Sequence, residues 1–401
     1  MHTVFAFLQA GLGRTLMVAL LSVAPWVTAA ESVRENKPVI TLAPELFDDQ
    51  QPATLGLKHA LGAETFRVYQ ALPNNRQYNH GAVITKFKGR FFTQWQSSAR
   101  DEDAADTEVR YAISEQAEHW SDAKTLAPAR DNTVITNGGW WVNGDTLVAY
   151  LNVWPNDIEP RGGWVEYVTT RDGVHWSKPQ PVTDTNGKPL AGVIEQDVRA
   201  LADGRLLTAV HVQPGLVAKP YYTDDPSGVT GWQAGVMKNL EYKPDISREL
   251  EPSWFQRQDG TLVMTFRDQA SSFKVLASES HDRGAHWSTP VITSLPDSRA
   301  KQSAGNLPDG SAFIVNNPSG KKVRAPLVIT TSADGEHFDR AYALRSGGSD
   351  LPPQKYAGRY KRSGFSYPKS FVNGDYVYVS YATSKEDIEI TRIPVSSLVY
   401  K

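Results

Sequence analysis

Three arginines, one histidine and two tyrosines carry the side chains that could hold an acidic substrate and move a proton on it. Arg199, Arg267 and Arg324 stand at the ends of strand-like runs. A guanidinium binds a carboxylate through a planar two-pronged fork and stays charged at any physiological pH. His80 titrates near neutrality and suits a general acid or base, with Tyr222 or Tyr367 as its partner. Asn79, Arg100, His211, Glu251 and Lys361 complete the candidate substrate contacts. Each of the main candidates also has a plainer reading. Arg199 can pair with Glu195 or Asp197, His80 can be a satisfied buried imidazole, and His211 can support a turn. Glu251 can cap the chain above Trp254, and Tyr367 can be an aromatic packed between sheets.

Other chemistries are excluded by composition. The chain has no cysteine, so disulfides, thiolate catalysis and Cys-ligated metals are unavailable. No histidine pair has the H-x-x-x-H spacing of a zinc site, and no cofactor is expected. The acidic stretch 97–107 is suited at most to a weakly held Ca²⁺ or to ordering the surroundings of Arg100. A net charge of −2 gives no general attraction to nucleic acid or to an anionic membrane, so an anionic partner must be held by local arginines and lysines. Residues 1–30 read as an export leader: Arg14 precedes an apolar run too short to span a bilayer, and the segment ends in the small residues Thr28, Ala29 and Ala30. The expected product is a secreted or periplasmic monomer with one domain over residues 31–401.

The elements that must position these residues are announced by a repeat. Ser/Thr-rich turns end in an aromatic ring at Trp120, Trp176, Trp232, Trp287 and Phe338, in steps of 56, 56, 55 and 51 residues. That is the period of a four-stranded propeller blade. A second series of turns alternates with the first, at Gly89, Gly144, Gly204, Gly260, Gly310 and Gly374. Most are Asn-Gly or Asp-Gly pairs, the residues that tight hairpins require. The fold expected is all-β, a β-propeller of seven blades with six as the alternative. Residues 38–48 are expected to pair with the C-terminal strands near 376–395 and close the ring.

The turn from Ser280 to Trp287 is a full Asp box, S-x-D-x-G-x-x-W, and Thr170 to Trp176 and Ser332 to Phe338 are shortened copies. Its carboxylate caps turn amides and its ring packs between strands, so His119, His175, His286 and His337 read as architectural. The Asp boxes, with Glu251 followed by Arg267, the segment leading to Arg324 and then Tyr367, resemble the sialidase superfamily. The resemblance covers about residues 65–398. It implies carboxylate-binding arginines at 267 and 324 and a tyrosine nucleophile near Tyr367. The chain departs from that pattern at the first arginine of the family's clamp, where Asn79 stands.

Other features are similar to propeller enzymes acting on uronic-acid polysaccharides, the ulvan lyases and rhamnose-glucuronate lyases and rhamnosidases. They are His80 before the Lys88–Arg90 turn, Arg199 after Gln196-Asp197, and the 251–254 and 305–310 segments. What that resemblance implies is β-elimination: a base removes the C5 proton of a uronate, the O4 group departs, and arginine on the carboxylate acidifies C5. The function expected is an exported polysaccharide lyase. A glycoside hydrolase, either a sialidase using Tyr367 and Glu251 or a rhamnosidase using His80, is the alternative, and a non-catalytic carbohydrate-binding propeller the third reading. The basic loop 346–363, with Lys355, Arg359, Lys361 and Arg362, is a candidate lid over an anionic sugar or a solvated surface loop.

Overall fold

Tight turns set the strand pairing. Phe87 faces Arg90 across Lys88 and Gly89, whose φ angles of 46° and 82° are those of a mirror-image hairpin turn. The computed structural model describes residues 38–400, and the expected leader lies outside the described residues. Six antiparallel sheets follow one another, five of four strands and one of five, in which two short strands pair with the same neighbour. Their first strands are Tyr78–Phe87, Thr133–Asn143, Gly192–Ile194, Glu249–Gln256, Ser303–Asn306 and Phe365–Asn373, and these open blades 1 to 6. First strands of neighbouring blades pack on one another, as Tyr78–Phe87 does on Phe365–Asn373, so together they ring a central axis. Between blades the sheets bury aromatic and aliphatic faces; Phe87 and Phe92 of blade 1 meet Trp140 and Leu147 of blade 2.

The propeller is therefore six-bladed. Dividing the chain length by the repeat suggests seven because it counts residues that no blade uses. Residues 38–63 run along the outside of blades 4 and 5, where Val39 and Ile40 pack with Phe255 and Phe338. Residues 346–363 form a strap between blades 5 and 6. Ring closure also differs from expectation. Thr41–Leu42 pairs in parallel with His337–Phe338 in the blade 5 Asp box, and it is Glu64–Tyr69 that pairs with the C-terminal strand Asp387–Pro394. Only the latter segment has the extended, alternating text of an outer strand.

The Asp boxes lie on the outer turns. Asp172 Oδ1 accepts the backbone N–H groups of Val174 and His175, both at 2.8 Å, while Trp287 and Phe338 are buried between strands. The rings of His175 and His286 are exposed, each beside the carboxylate of its own turn, Asp172 or Asp282.

Candidate active site

Near its start, the first strand of blades 1, 2, 4 and 6 breaks register. The shifts fall between His80 and Val83, Asn137 and Gly139, Leu250 and Ser253, and Ser366 and Lys369. A bulge leaves a residue unpaired and re-aims its side chain. In blades 1 and 2 the left-handed backbone is taken by Gly81 and Gly139. In blades 4 and 6 it is taken by Glu251 (φ 53°) and Tyr367 (φ 56°), each followed by a proline that removes a ladder N–H. In blade 3 the bulge is replaced by Glu195–Val198, between two short strands that share one neighbour; in blade 5 Lys301 and Gln302 precede the strand. His80, Asn137, Glu195, Glu251, Lys301 and Tyr367 thereby converge from six blades on one cleft of about 240 Å³.

At its floor the Tyr367 hydroxyl donates a short hydrogen bond to Glu251 Oε1. Arg267 Nη1 donates to Glu251 Oε2 at 2.9 Å and to the Tyr367 hydroxyl at 3.1 Å, while its Nη2 donates to Gln269. Arg324 lies 5.0 Å from the Tyr367 ring and donates to Ser366 Oγ at 3.0 Å. Burial works against the Glu251 charge, but Arg267, Lys301 and the Tyr367 hydrogen bond outweigh it and hold the carboxyl down at about 2. Burial and the Glu251 charge push the Tyr367 phenol up, against Arg267 and Arg324. At rest the pair is phenol and carboxylate. A carboxylate this acidic receives the phenol proton only when positive charge develops next to the phenolic oxygen, as it does at the anomeric carbon of a sugar losing its leaving group.

Behind this pair runs a buried relay. Lys301 Nζ donates to Glu195 Oε2 at 2.9 Å and to Gln196 Oε1 at 3.1 Å, and the other Glu195 oxygen lies 3.3 Å from His211 Nδ1. His211 Nε2 accepts the backbone N–H of Glu251 at 3.3 Å, which pins Glu251 in its unfavourable backbone conformation. Burial keeps the His211 pKa low, with Glu195 and Glu251 opposing, so its ring is neutral and free to accept there.

Across the cleft, His80 is buried with its ring 4.2 Å from that of Tyr367, and neither ring nitrogen has a protein partner. Burial, then Lys385, Arg324, Lys301 and Arg362, push its pKa well below the usual range, so it presents a neutral imidazole to whatever enters. Glu102 and Asp103 line the cleft from the loop after the second strand of blade 1. Asp103 is held by a bidentate pair with Arg161, at 2.8 Å for both contacts, and Glu102 by Lys385.

Among the residues expected from sequence, His80, His211, Glu251 and Tyr367 line the cleft, and Arg267 and Arg324 back its floor. The others lie elsewhere. Asn79 is fully buried and bonded inward: its amide donates to Arg76 O and Glu386 O and accepts from Trp95 Nε1 and Ser97 Oγ. Arg199 pairs with Asp197 at 3.0 Å and stacks 4.1 Å from the Trp254 ring, outside this cleft. Tyr222 sits on the third strand of blade 3 beneath Arg205, too far out in the sheet to reach the axis. Arg100 is exposed beside Asp101, and Lys361 is sealed in a buried pair with Glu386 that anchors the strap. In the 97–107 stretch, Asp101 accepts from the Arg359 backbone, Asp103 from Arg161 and Asp106 from Arg76. Those carboxylates knit the loop to its neighbours, and among the described residues no cluster of three histidine or acidic side chains forms a metal site.

Sequence reasoning missed Lys301, Glu195 as a cleft residue, Glu102, Asp103 and Lys385. A spacing signal marks two of them. His80, Glu195, Glu251 and Lys301 each stand nine residues before a turn glycine, at 89, 204, 260 and 310.

Residues 89–379 match the BNR repeat-like domain family. No curated protein sequence matches the chain. Among solved structures, a sialidase superposes with a TM-score of 0.63 at 18% identity, over 89% of this chain and 35% of its own. A Hadza microbial sialidase gives 0.65 at 14% identity, over 84% and 69%. Trypanosoma rangeli sialidase gives 0.61 at 12%, over 84% and 60%. The chain thus spans about a third of the first of these proteins, and at such identities the likeness is one of fold alone.

Proposed function

The chain belongs to the BNR repeat-like domain family, and from that premise we propose that it is a glycoside hydrolase releasing a terminal acidic sugar through a tyrosine nucleophile. The observation that carries this reading is the Tyr367–Glu251 hydrogen bond braced by Arg267. The Tyr367 oxygen attacks the anomeric carbon as the bond to the leaving group breaks, and its proton passes to Glu251. The departing oxygen takes a proton from Glu102 on the cleft wall, beside which Arg161 holds Asp103 as a carboxylate. Water, deprotonated by the same carboxylate, then attacks the anomeric carbon, the Tyr367 oxygen departs and takes back its proton from Glu251, and the product retains its configuration. Arg267, Arg324, Lys301 and Lys385 favour an anionic sugar, and the free nitrogens of neutral His80 suit its hydroxyl or carboxyl groups. The structural neighbours named as sialidases are consistent with such a substrate. The test is to expose the protein to a fluorinated sialosyl fluoride and to locate the adduct by peptide mass spectrometry. A glycosyl group on Tyr367 supports the reading, and its absence together with no release of sugar from sialyllactose rejects it.

A second reading, β-elimination on a uronate, is favoured by His80. Its ring is unprotonated, lies 4.2 Å from that of Tyr367 at a tilt of 42°, and keeps both nitrogens open to take a proton. Incubation with ulvan and other uronate polymers would then give the ultraviolet absorbance of a 4,5-unsaturated product, lost in His80→Ala.

A further inference from the structure

A second chamber, of about 260 Å³, opens on the axis beyond the cleft. Its walls come from the same blades four residues further on: Ile84 follows His80, Trp141 follows Asn137, Arg199 follows Glu195 and Phe371 follows Tyr367. The cleft and this chamber share one residue, Gln196. Its amide nitrogen donates to Gly81 O and Asn137 O, both at 3.0 Å, and its side-chain oxygen accepts from Lys301, so it closes the channel between them.

Charges around Gln196 do not balance. Lys301 is matched by Glu195 at 2.9 Å and Arg199 by Asp197 at 3.0 Å. Lys369, on the first strand of blade 6, is left over. Its side chain is 3% exposed, and its Nζ donates no hydrogen bond to any described residue. The Asp197 carboxylate lies 3.6 Å away but is already held by Arg199 and by the Ser253 hydroxyl, the latter at 2.6 Å. A sealed ammonium without an acceptor is strongly unfavourable unless a counter-charge reaches it. Burial, with Lys301 and Arg199 beside it, draws the Lys369 pKa down to about 8 against Asp197 and Glu195, so the amine still carries its charge at neutral pH.

We propose that this chamber leads to an axial anion site, in which one small monovalent inorganic anion, chloride in a saline medium, rests against Lys369 Nζ and ties blade 6 to blade 3. Asp197 and Ser370, which flank the amine in space and in sequence, both line the chamber and give the ion its way in. One unmatched cation calls for one negative charge. The Arg199 fork is spent on Asp197 and the Trp254 carbonyl, so the two-pronged grip that selects a carboxylate or a phosphate is not on offer. Trp140, Val198 and Phe371 supply an apolar wall, which a spherical halide tolerates better than a larger, more strongly hydrated oxyanion.

Two measurements on the full chain test this. Thermal melting in about 0.3 M sodium chloride should lie about 2–3 °C above that in sodium gluconate of equal ionic strength, the shift that an affinity of about 10 mM gives a chain of this size. In Lys369→Met the two salts should give the same melting temperature. Wild-type crystals soaked in sodium bromide, which need no variant to fold, should show an anomalous peak about 3.3 Å from Lys369 Nζ. No bromide beside Lys369, or a chloride preference that persists in Lys369→Met, overturns the site. A bromide there without any gain in melting temperature marks an adventitious ion only and overturns it as well.

Discussion

Replacing Lys301 by methionine isolates the relay behind the reactive pair. The side chains of Lys301 and Glu195 are 7% and 8% exposed, so the small values typical of surface ion pairs do not apply. Removing one partner of a sealed pair leaves an uncompensated charge and costs about 3–5 kcal/mol. His211 supplies a partial remedy. Lys301 is among the groups holding its pKa down and Glu195 among those raising it, so loss of the lysine turns His211 upward. A histidine whose folded-state pKa is depressed loses stability as pH falls below its unfolded value of about 6.5, and easing that depression by removing Lys301 lessens the loss at low pH. The deficit of Lys301→Met relative to wild type should therefore be largest at about pH 8 and smaller at about pH 5.5. Urea unfolding followed by tryptophan fluorescence at both pH values measures it. Protonated His211 can no longer accept the Glu251 N–H, so whatever activity the variant keeps should fall where its stability recovers. A deficit below about 1 kcal/mol at the higher pH, or one that ignores pH, would refute the relay.

Three further outcomes are expected. Glu251→Gln should lower kcat about 10²–10⁴-fold while leaving the fold intact, measured by steady-state kinetics beside circular dichroism. Burial lowers the Lys385 amine to about 8, against the Glu102 charge, so KM for an acidic sugar should rise as pH climbs through that value; Lys385→Met should flatten the profile. Asn79→Arg, which would restore the arginine of the sialidase pattern, should instead destabilise the protein by about 4 kcal/mol or more, because it breaks four hydrogen bonds at a fully buried position; thermal melting checks this.

The architecture was readable because blade turns are local. An Asp box or an Asn-Gly pair works within a few residues, so Asp172 and Gly144 mark their strands without help from the rest of the chain. Blade number was less legible, since nothing in the text of residues 38–63 shows that they lie against blades 4 and 5 instead of forming one. At the site, Glu251, Arg267, Arg324 and Tyr367 were found through the sialidase resemblance, whereas Arg199 came from the likeness to uronate-acting propellers and Tyr222 from residue type. Type cannot tell an axis-facing arginine from one stacked on Trp254. The position that matters was encoded as phase: Lys301 has the same offset from its turn glycine as His80, and counting back from Gly310 would have found it. Asp103, on the cleft wall, and Lys385, behind Glu102, follow no such count, because both sit in connections between strands.

The left-handed backbone at residues 251 and 367 offers a way to recognise relatives that have lost chemistry. Glycine is the residue that fits such a bulge without strain, as at Gly81 and Gly139, and a side chain there is tolerated at about 1–3 kcal/mol. In a descendant released from turnover, nothing would oppose the drift of both positions toward glycine, which would leave a firmer propeller able to bind but not to react. On the glycosidase reading, glutamate and tyrosine at those two strained places, where blades 1 and 2 have glycine, are a mark that can be sought in the sequences of relatives.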